Sequence, residues 1–278
     1  MMLIDTVLEP LRYNFMQRSL IVAILVGLLC SIVGSYLMIQ RLSLLGDAIS
    51  HSVMPGLAIA FTLEAPMLLG AVVAAIISTL TIAWIHDNYP LKEDTAIGIV
   101  FASFFALGIT LITIIQKEHK IDLNHFLFGN ILGVTIEDVI NTSLITAFVL
   151  VTIVLLYKEL LFYTFDCLGA ATVGLPTKHL NFGLMTLVAL TTVASMKAVG
   201  VVLVLALLII PTATAFLIAN RLHEIMTIGA ILGISSSILG MYGSYFFNIP
   251  SGPAIVLVSS CFFGVILFYF SLRLKSTF

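Results

Sequence analysis

Charged side chains make up only 9% of this 278-residue sequence, against 60% hydrophobic residues and a mean hydropathy of +1.18. So few charges cannot coat a soluble protein of this length, which excludes a water-exposed globular enzyme or binding module. The formal net charge of −2 comes from residues scattered through short connections, without the basic patch that a nucleic-acid partner requires. Cys30, Cys167 and Cys261 are odd in number, far apart and set mostly in apolar runs. They offer neither a disulfide framework nor a thiolate zinc site, and packing is the role left to them. The opening residues, with Asp5 and Glu9 ahead of Arg12 and Arg18, lack a charged-then-apolar leader ending in a small-residue cleavage site. The first apolar run is therefore expected to remain as a membrane span. A Gly-x-x-x-x-Gly-Lys-[Ser/Thr] phosphate loop, a nucleophile elbow and a His-Glu-x-x-His helix are all missing. The chain is thus not read as an enzyme, and any ATP-driven mechanism needs a separate subunit.

Long apolar stretches are what the sequence has in abundance. They fall at 18–39, 44–63, 66–85, 94–115, 136–157, 180–196, 198–219, 225–247 and 253–272, separated by turn and charged residues. In lipid every backbone polar group must be satisfied internally, so these are expected to be helices; a barrel would alternate with period two. The expected fold is all-α, a polytopic bundle of about eight or nine transmembrane helices formed by residues 1–278 as one domain. With nine spans and an outside N-terminus, the cytoplasmic side carries seven of the twelve Lys and Arg residues and the outer side five. That bias has the expected direction. A faint echo between Gln40-Arg41-Leu42 and Asn220-Arg221-Leu222 suits a chain of two related halves.

Asp47 and His51 stand four residues apart in an otherwise apolar segment, a spacing that puts both on one helical face. Burying a carboxylate and an imidazole in a bilayer is costly unless a partner compensates, and a divalent metal ion is such a partner. One hard oxygen and one borderline nitrogen suit Mn(II), Fe(II) or Zn(II) better than a soft ion. Two ligands do not close a shell, so the same pair from a second copy across a two-fold axis is the expected complement. Pro55 has no N–H for the His51 carbonyl, and Gly56 and Gly46 flank the pair, so a softened, broken helix is expected here. A simple Asp–His pairing at the cytoplasmic membrane edge near Arg41, or a proton relay in a proton-coupled secondary transporter, is the alternative.

Pro211 frees the Leu207 carbonyl by the same argument, within a helix of small residues that either kinks for packing or lines a path. Residues 160–178 include Phe165, Asp166, Gly169, Gly174, Leu175 and Pro176, too interrupted for a span. A short surface helix stopping at Gly174 and Pro176 is expected, either a docking element or a connector. His119, Asp122 and His125 lie in a polar segment as possible outer metal-entry residues. Glu93 and Asp94 suit a helix N-terminus, and Lys197 is placed near the outer surface with no role.

Four ordered stretches carry a likeness that spans nearly the whole chain. They are RLSLLGDAISHSVMPG at 41–56, EDTAIGIVF at 93–101, DLNHFLFGNILGV at 122–134 and KAVGVVLVLALLIIPTATA at 197–215. The chain resembles the membrane permease of the ATP-binding-cassette importers for manganese, zinc and iron. The 122–130 stretch is more similar to the manganese-type members. The resemblance implies a homodimer in a bacterial plasma membrane, a cytoplasmic ATPase subunit that binds the ATP, and an extracytoplasmic metal-binding protein. It implies manganese first, zinc or iron next, as transported ion, with no permanently bound cofactor. It also implies that Asp47 and His51 lie on the metal path and that 160–178 is the cytoplasmic coupling-helix segment seated on the ATPase.

Overall fold

The computed structural model describes residues 9–115 and 131–275, and every regular element among them is helical. In chain order these are α1 (Asn14–Ile39), α2 (Leu45–Ser52), α3 (Met54–Thr62), α4 (Met67–Asn88), α5 (Glu93–Ile115) and α6 (Ile136–Leu155). They continue with α7 (Tyr157–Phe165), α8 (Cys167–Thr172), α9 (Thr177–Val199), α10 (Val201–Phe216), α11 (Leu222–Phe247) and α12 (Ser251–Lys275). Among the described residues seven helices, α1, α4, α5, α6, α9, α11 and α12, are long and apolar enough to cross a membrane. The 44–63 segment is split into α2 and α3, and the 198–219 segment gives the shorter α10. All nine apolar segments are therefore helical, and two of them depart from a single full-length rod.

The helix ends follow local rules. α1 stops where Leu42 N–H bonds the Leu37 carbonyl at 2.8 Å and Arg41 N–H bonds Met38 at 3.2 Å, a Schellman closure with Arg41 at φ 63°. α3 closes the same way, with Glu64 at φ 52° and Ala65 N–H on the Ala60 carbonyl at 2.9 Å. Arg221, at the start of α11, is extended at φ −117°. The Gln-Arg-Leu and Asn-Arg-Leu echo thus has no counterpart in backbone geometry. α6 begins with a complete capping box between Thr135 and Asp138.

α1 lies at the centre, against α6, α9, α10 and α11, while α12 packs on α10 and α11. Glycines set the closest crossings. A Cβ on Gly27 would meet the Gly233 carbonyl of α11, and one on Gly34 would collide with the Leu208 carbonyl of α10. Beside the latter, Thr212 Oγ1 donates to the Ser31 carbonyl at 3.2 Å. On the other side of the molecule α3 packs against α4 and α5. Gly56 and Gly70 meet there backbone to backbone, each blocking a Cβ on the other. The outward faces of α4, α6 and α12 expose Val73, Ile77, Leu144, Phe148, Val265 and Phe268, as lipid-facing helices do. Trp84 and Tyr89, in edge contact at 5.6 Å, mark one end of α4 in the manner of an interfacial aromatic pair.

Candidate functional site

α2 begins after the Arg41 reversal, and its Gly46 rests on the Leu208 and Leu205 side chains of α10. That seating turns the Asp47–His51 face away from the core and towards α5. Asp47 Oδ1 and His51 Nε2 are 3.5 Å apart, with the side chains 43% and 30% exposed. An ordinary charge-assisted hydrogen bond would bring them to about 2.7–2.9 Å. Two ligands about 2.1 Å from one ion, at octahedral to tetrahedral angles, stand about 3.0–3.4 Å apart. At 3.5 Å the pair is looser than a tight hydrogen bond and just beyond that ligand–ligand range, and it is open on one side.

Phe101 and Phe105 of α5 fix the imidazole edge-on, with ring centroids 5.6 and 5.4 Å from His51. These phenylalanines lie eight and twelve residues into a 23-residue helix. At 1.5 Å per residue that is roughly 12–18 Å along a rod of about 34 Å. His51 thus sits level with the middle of α5, deeper than the membrane-edge position that proximity to Arg41 suggests. Its Nδ1 is buried and has no hydrogen-bond partner among the described residues. The Ser50 and Ser52 hydroxyls are buried and donate to the Gly46 and Ala48 carbonyls of their own helix at 2.8 and 2.7 Å. Among the described residues no group of three or more His, Cys, Asp or Glu side chains is placed to hold a metal. One copy brings together one carboxylate and one imidazole.

The expected liberated carbonyl at His51 is corrected. The break falls at Val53, two residues before Pro55, and the Val53 N–H closes onto the His51 carbonyl. Pro55 then opens α3 from its first turn, where a missing N–H is harmless. Gly56 serves the contact with Gly70 rather than softness, and Gly108 of α5 packs over Met54 and Pro55. Pro211 lies buried inside a continuous α10, beside the α1 contact made by Thr212; Leu208, about one turn earlier, is what reaches Gly46. His119, Asp122 and His125 lie outside the described residues.

A sequence profile described as the ABC 3 transport family matches residues 12–270. The chain belongs to the ABC 3 transport family. It is 43% identical over 261 residues to the manganese transport system membrane protein MntC of Halalkalibacterium halodurans, covering 94% of this chain and 89% of that one. It is 39% identical over 271 residues to a probable iron transport system membrane protein of Haemophilus influenzae, covering 98% and 99%. Among solved structures, PsaBC from Streptococcus pneumoniae in complex with Fab superposes at a TM-score of 0.83 with 39% identity, covering 95% of each chain.

In this ABC 3 transport protein the interrupted segment has the form expected of it. Asp166 caps α8, accepting the Gly169 N–H at 2.7 Å, and α8 ends in a Schellman closure with Gly174 at φ 89°. Leu175 N–H bonds the Ala170 carbonyl at 3.0 Å, and Pro176 leads into α9. Phe165 at the end of α7, Leu168 in α8 and Val173 just after it are largely exposed, an apolar surface around a six-residue helix. Cys167 is exposed as well, against the expectation that the cysteines are packing residues. Its thiol is pushed above 9.0 by partial burial and by the Asp87, Asp166 and Glu93 carboxylates.

Lys197 has a partner that sequence spacing could not disclose, with its Nζ 2.7 Å from Asp138 Oδ1 and so tying the end of α9 to the start of α6. His86 Nε2 stands 3.7 Å from Glu93 Oε1 across the α4–α5 turn, so that histidine is not simply solvated. Phe101 and Phe105 were equally invisible, fifty residues from the histidine they hold. Their signals were the i, i+4 spacing on a helix and, for Phe101, its place at the end of the 93–101 stretch.

Proposed function

We propose that this chain is the permease subunit of an ATP-driven importer of divalent transition-metal ions in a bacterial plasma membrane, with manganese as its first cargo and iron or zinc as the alternatives. One observation carries the site assignment. Asp47 and His51 stand 3.5 Å apart on one face, open on one side, level with the middle of a spanning helix. Two copies facing each other across a two-fold axis supply two carboxylates and two imidazoles, and Asp47 is the hard ligand that favours manganese. The general divalent order favours zinc at such a site, so preference for manganese rests on geometry and on the protein that delivers the ion. An extracytoplasmic metal-binding protein supplies the ion. A separate ATPase chain seats on α8 through Leu168 and Val173 and drives the opening.

The manganese-named and iron-named relatives support this choice of cargo. Uptake of radiolabelled manganese, with zinc and iron as competitors, is to be measured in cells lacking the chain and restored with wild type, Asp47→Ala or His51→Ala at matched membrane levels. Wild type restores uptake and both variants lose it by at least tenfold, about 1.4 kcal/mol in a rate or binding constant. Equal uptake by all three removes Asp47 and His51 from the metal path, and ATP-independent uptake driven by a pH gradient replaces the ATP-driven reading.

A further inference from the structure

Away from the α2–α5 face, a groove of about 290 Å³ runs between α6 and α9. Phe148, Thr152 and Leu156 form one wall, and Phe182, Gly183 and Leu187 the other. Its two threonine hydroxyls are spent on their own helices. Thr152 donates to the Phe148 carbonyl at 2.8 Å and Thr186 to the Phe182 carbonyl at 2.7 Å, so the trough offers hydrocarbon and no free polar group. Gly183 leaves the floor open, with no heavy atom within 4 Å of where its Cβ would stand. Both walls belong to helices that are long and apolar enough to span, so what fills the trough must be miscible with acyl chains.

One end of the groove is polar. His179 lines it, and Lys178 stands one turn before Phe182 on the same stripe of α9. Both side chains are exposed, and among the described residues no carboxylate lies within ion-pair reach of either. The first turn of α9 holds no acidic residue. A cationic mouth above a hydrocarbon trough at the membrane surface has the complementarity of an anionic phospholipid, whose phosphate and acyl chain are joined in that order.

We propose that the α6–α9 groove is a binding site for one anionic phospholipid, its acyl chain lying along Phe148, Phe182 and Gly183 and its phosphate held by Lys178 and His179. The site is separate from the metal pair and does not depend on the cargo assignment. Basic pockets between spanning helices hold acidic headgroups by this combination of charge and depth.

The full chain is to be placed in nanodiscs of phosphatidylcholine with or without phosphatidylglycerol and released for native mass spectrometry. Wild type retains one phosphatidylglycerol per chain and sheds phosphatidylcholine. Gly183→Leu fills the trough where space is free, so its helical circular dichroism is unchanged and the adduct is lost. Lys178→Ala keeps the fold and weakens phosphatidylglycerol retention about fivefold. Retention of the adduct by Gly183→Leu, or equal retention of phosphatidylcholine by wild type, overturns the proposal. So does a disulfide between two chains carrying Gly183→Cys with Cys167 and Cys261 replaced by serine, which assigns the groove to a second copy.

Discussion

Arg41 and Glu64 hold left-handed backbone conformations at positions where helices normally end in glycine. A non-glycine residue there costs about 1–2 kcal/mol. Arg41→Gly should therefore raise the stability of the detergent-solubilised chain by about 1 kcal/mol, read as a higher midpoint of thermal unfolding. An unchanged or lower midpoint means that the arginine side chain compensates its own strain. The Asp47–His51 juxtaposition was legible at this scale, because a four-residue offset between a carboxylate and an imidazole brings both onto one face of the helix. What holds the pair was not. Phe101, Phe105, Gly46 and Leu208 come from three helices, and only tertiary packing selects those side chains from the many apolar residues of each.

Helix ends and crossings decide what each element does. The bounds of α8 were readable from Asp166, Gly174 and Pro176, because a side-chain cap, a left-handed glycine and a proline are local signals. The α2–α3 break was readable only approximately. Pro55 announces it, but the turn closes at Val53, since a proline is most comfortable inside a first turn. The Gly56–Gly70 contact admits no Cβ, so Gly56→Ala should cost about 1–3 kcal/mol by overpacking. Gly98→Ala on α5, with open space around it, should leave the unfolding midpoint unchanged or slightly raised. Equal losses from both would show that helix flexibility rather than contact is what the glycines supply. Cys167 reports on α8. Because partial burial and the nearby carboxylates raise its pKa above that of an ordinary thiol, maleimide alkylation should be slow at pH 7 and accelerate as pH rises and the thiolate forms. Asp87→Asn removes one carboxylate, lowers the pKa and should speed the reaction at pH 8. Adding the proposed ATPase should suppress it, and continued rapid alkylation of the complex would move the docking surface elsewhere.

Over the whole molecule, one copy presents one carboxylate and one imidazole on an open face, so under the proposed function a pair of copies is expected to complete the site. In a tandem fusion of two chains, Asp47→Ala in one half should reduce manganese uptake well below half of the double wild type, because the two halves share one ion. Half-maximal uptake would mean that each copy conducts alone. The architecture was legible at this scale from hydropathy, down to the nine segments, because the bilayer imposes length and composition directly. Which segments cross alone was not, since α2, α3 and α10 are short elements that depend on neighbours for burial. That dependence differs between them. α3 is seated backbone on backbone through Gly56 and Gly70, and α1 on α10 through Gly34, whereas α2 packs on α4, α5, α9 and α10 with Leu45 and Ile49 fully buried, and is bounded by the Arg41 reversal and the Val53 break. In mechanical terms α2 is a short link with a joint at each end, eight residues long, and that link is the part that carries Asp47 and His51.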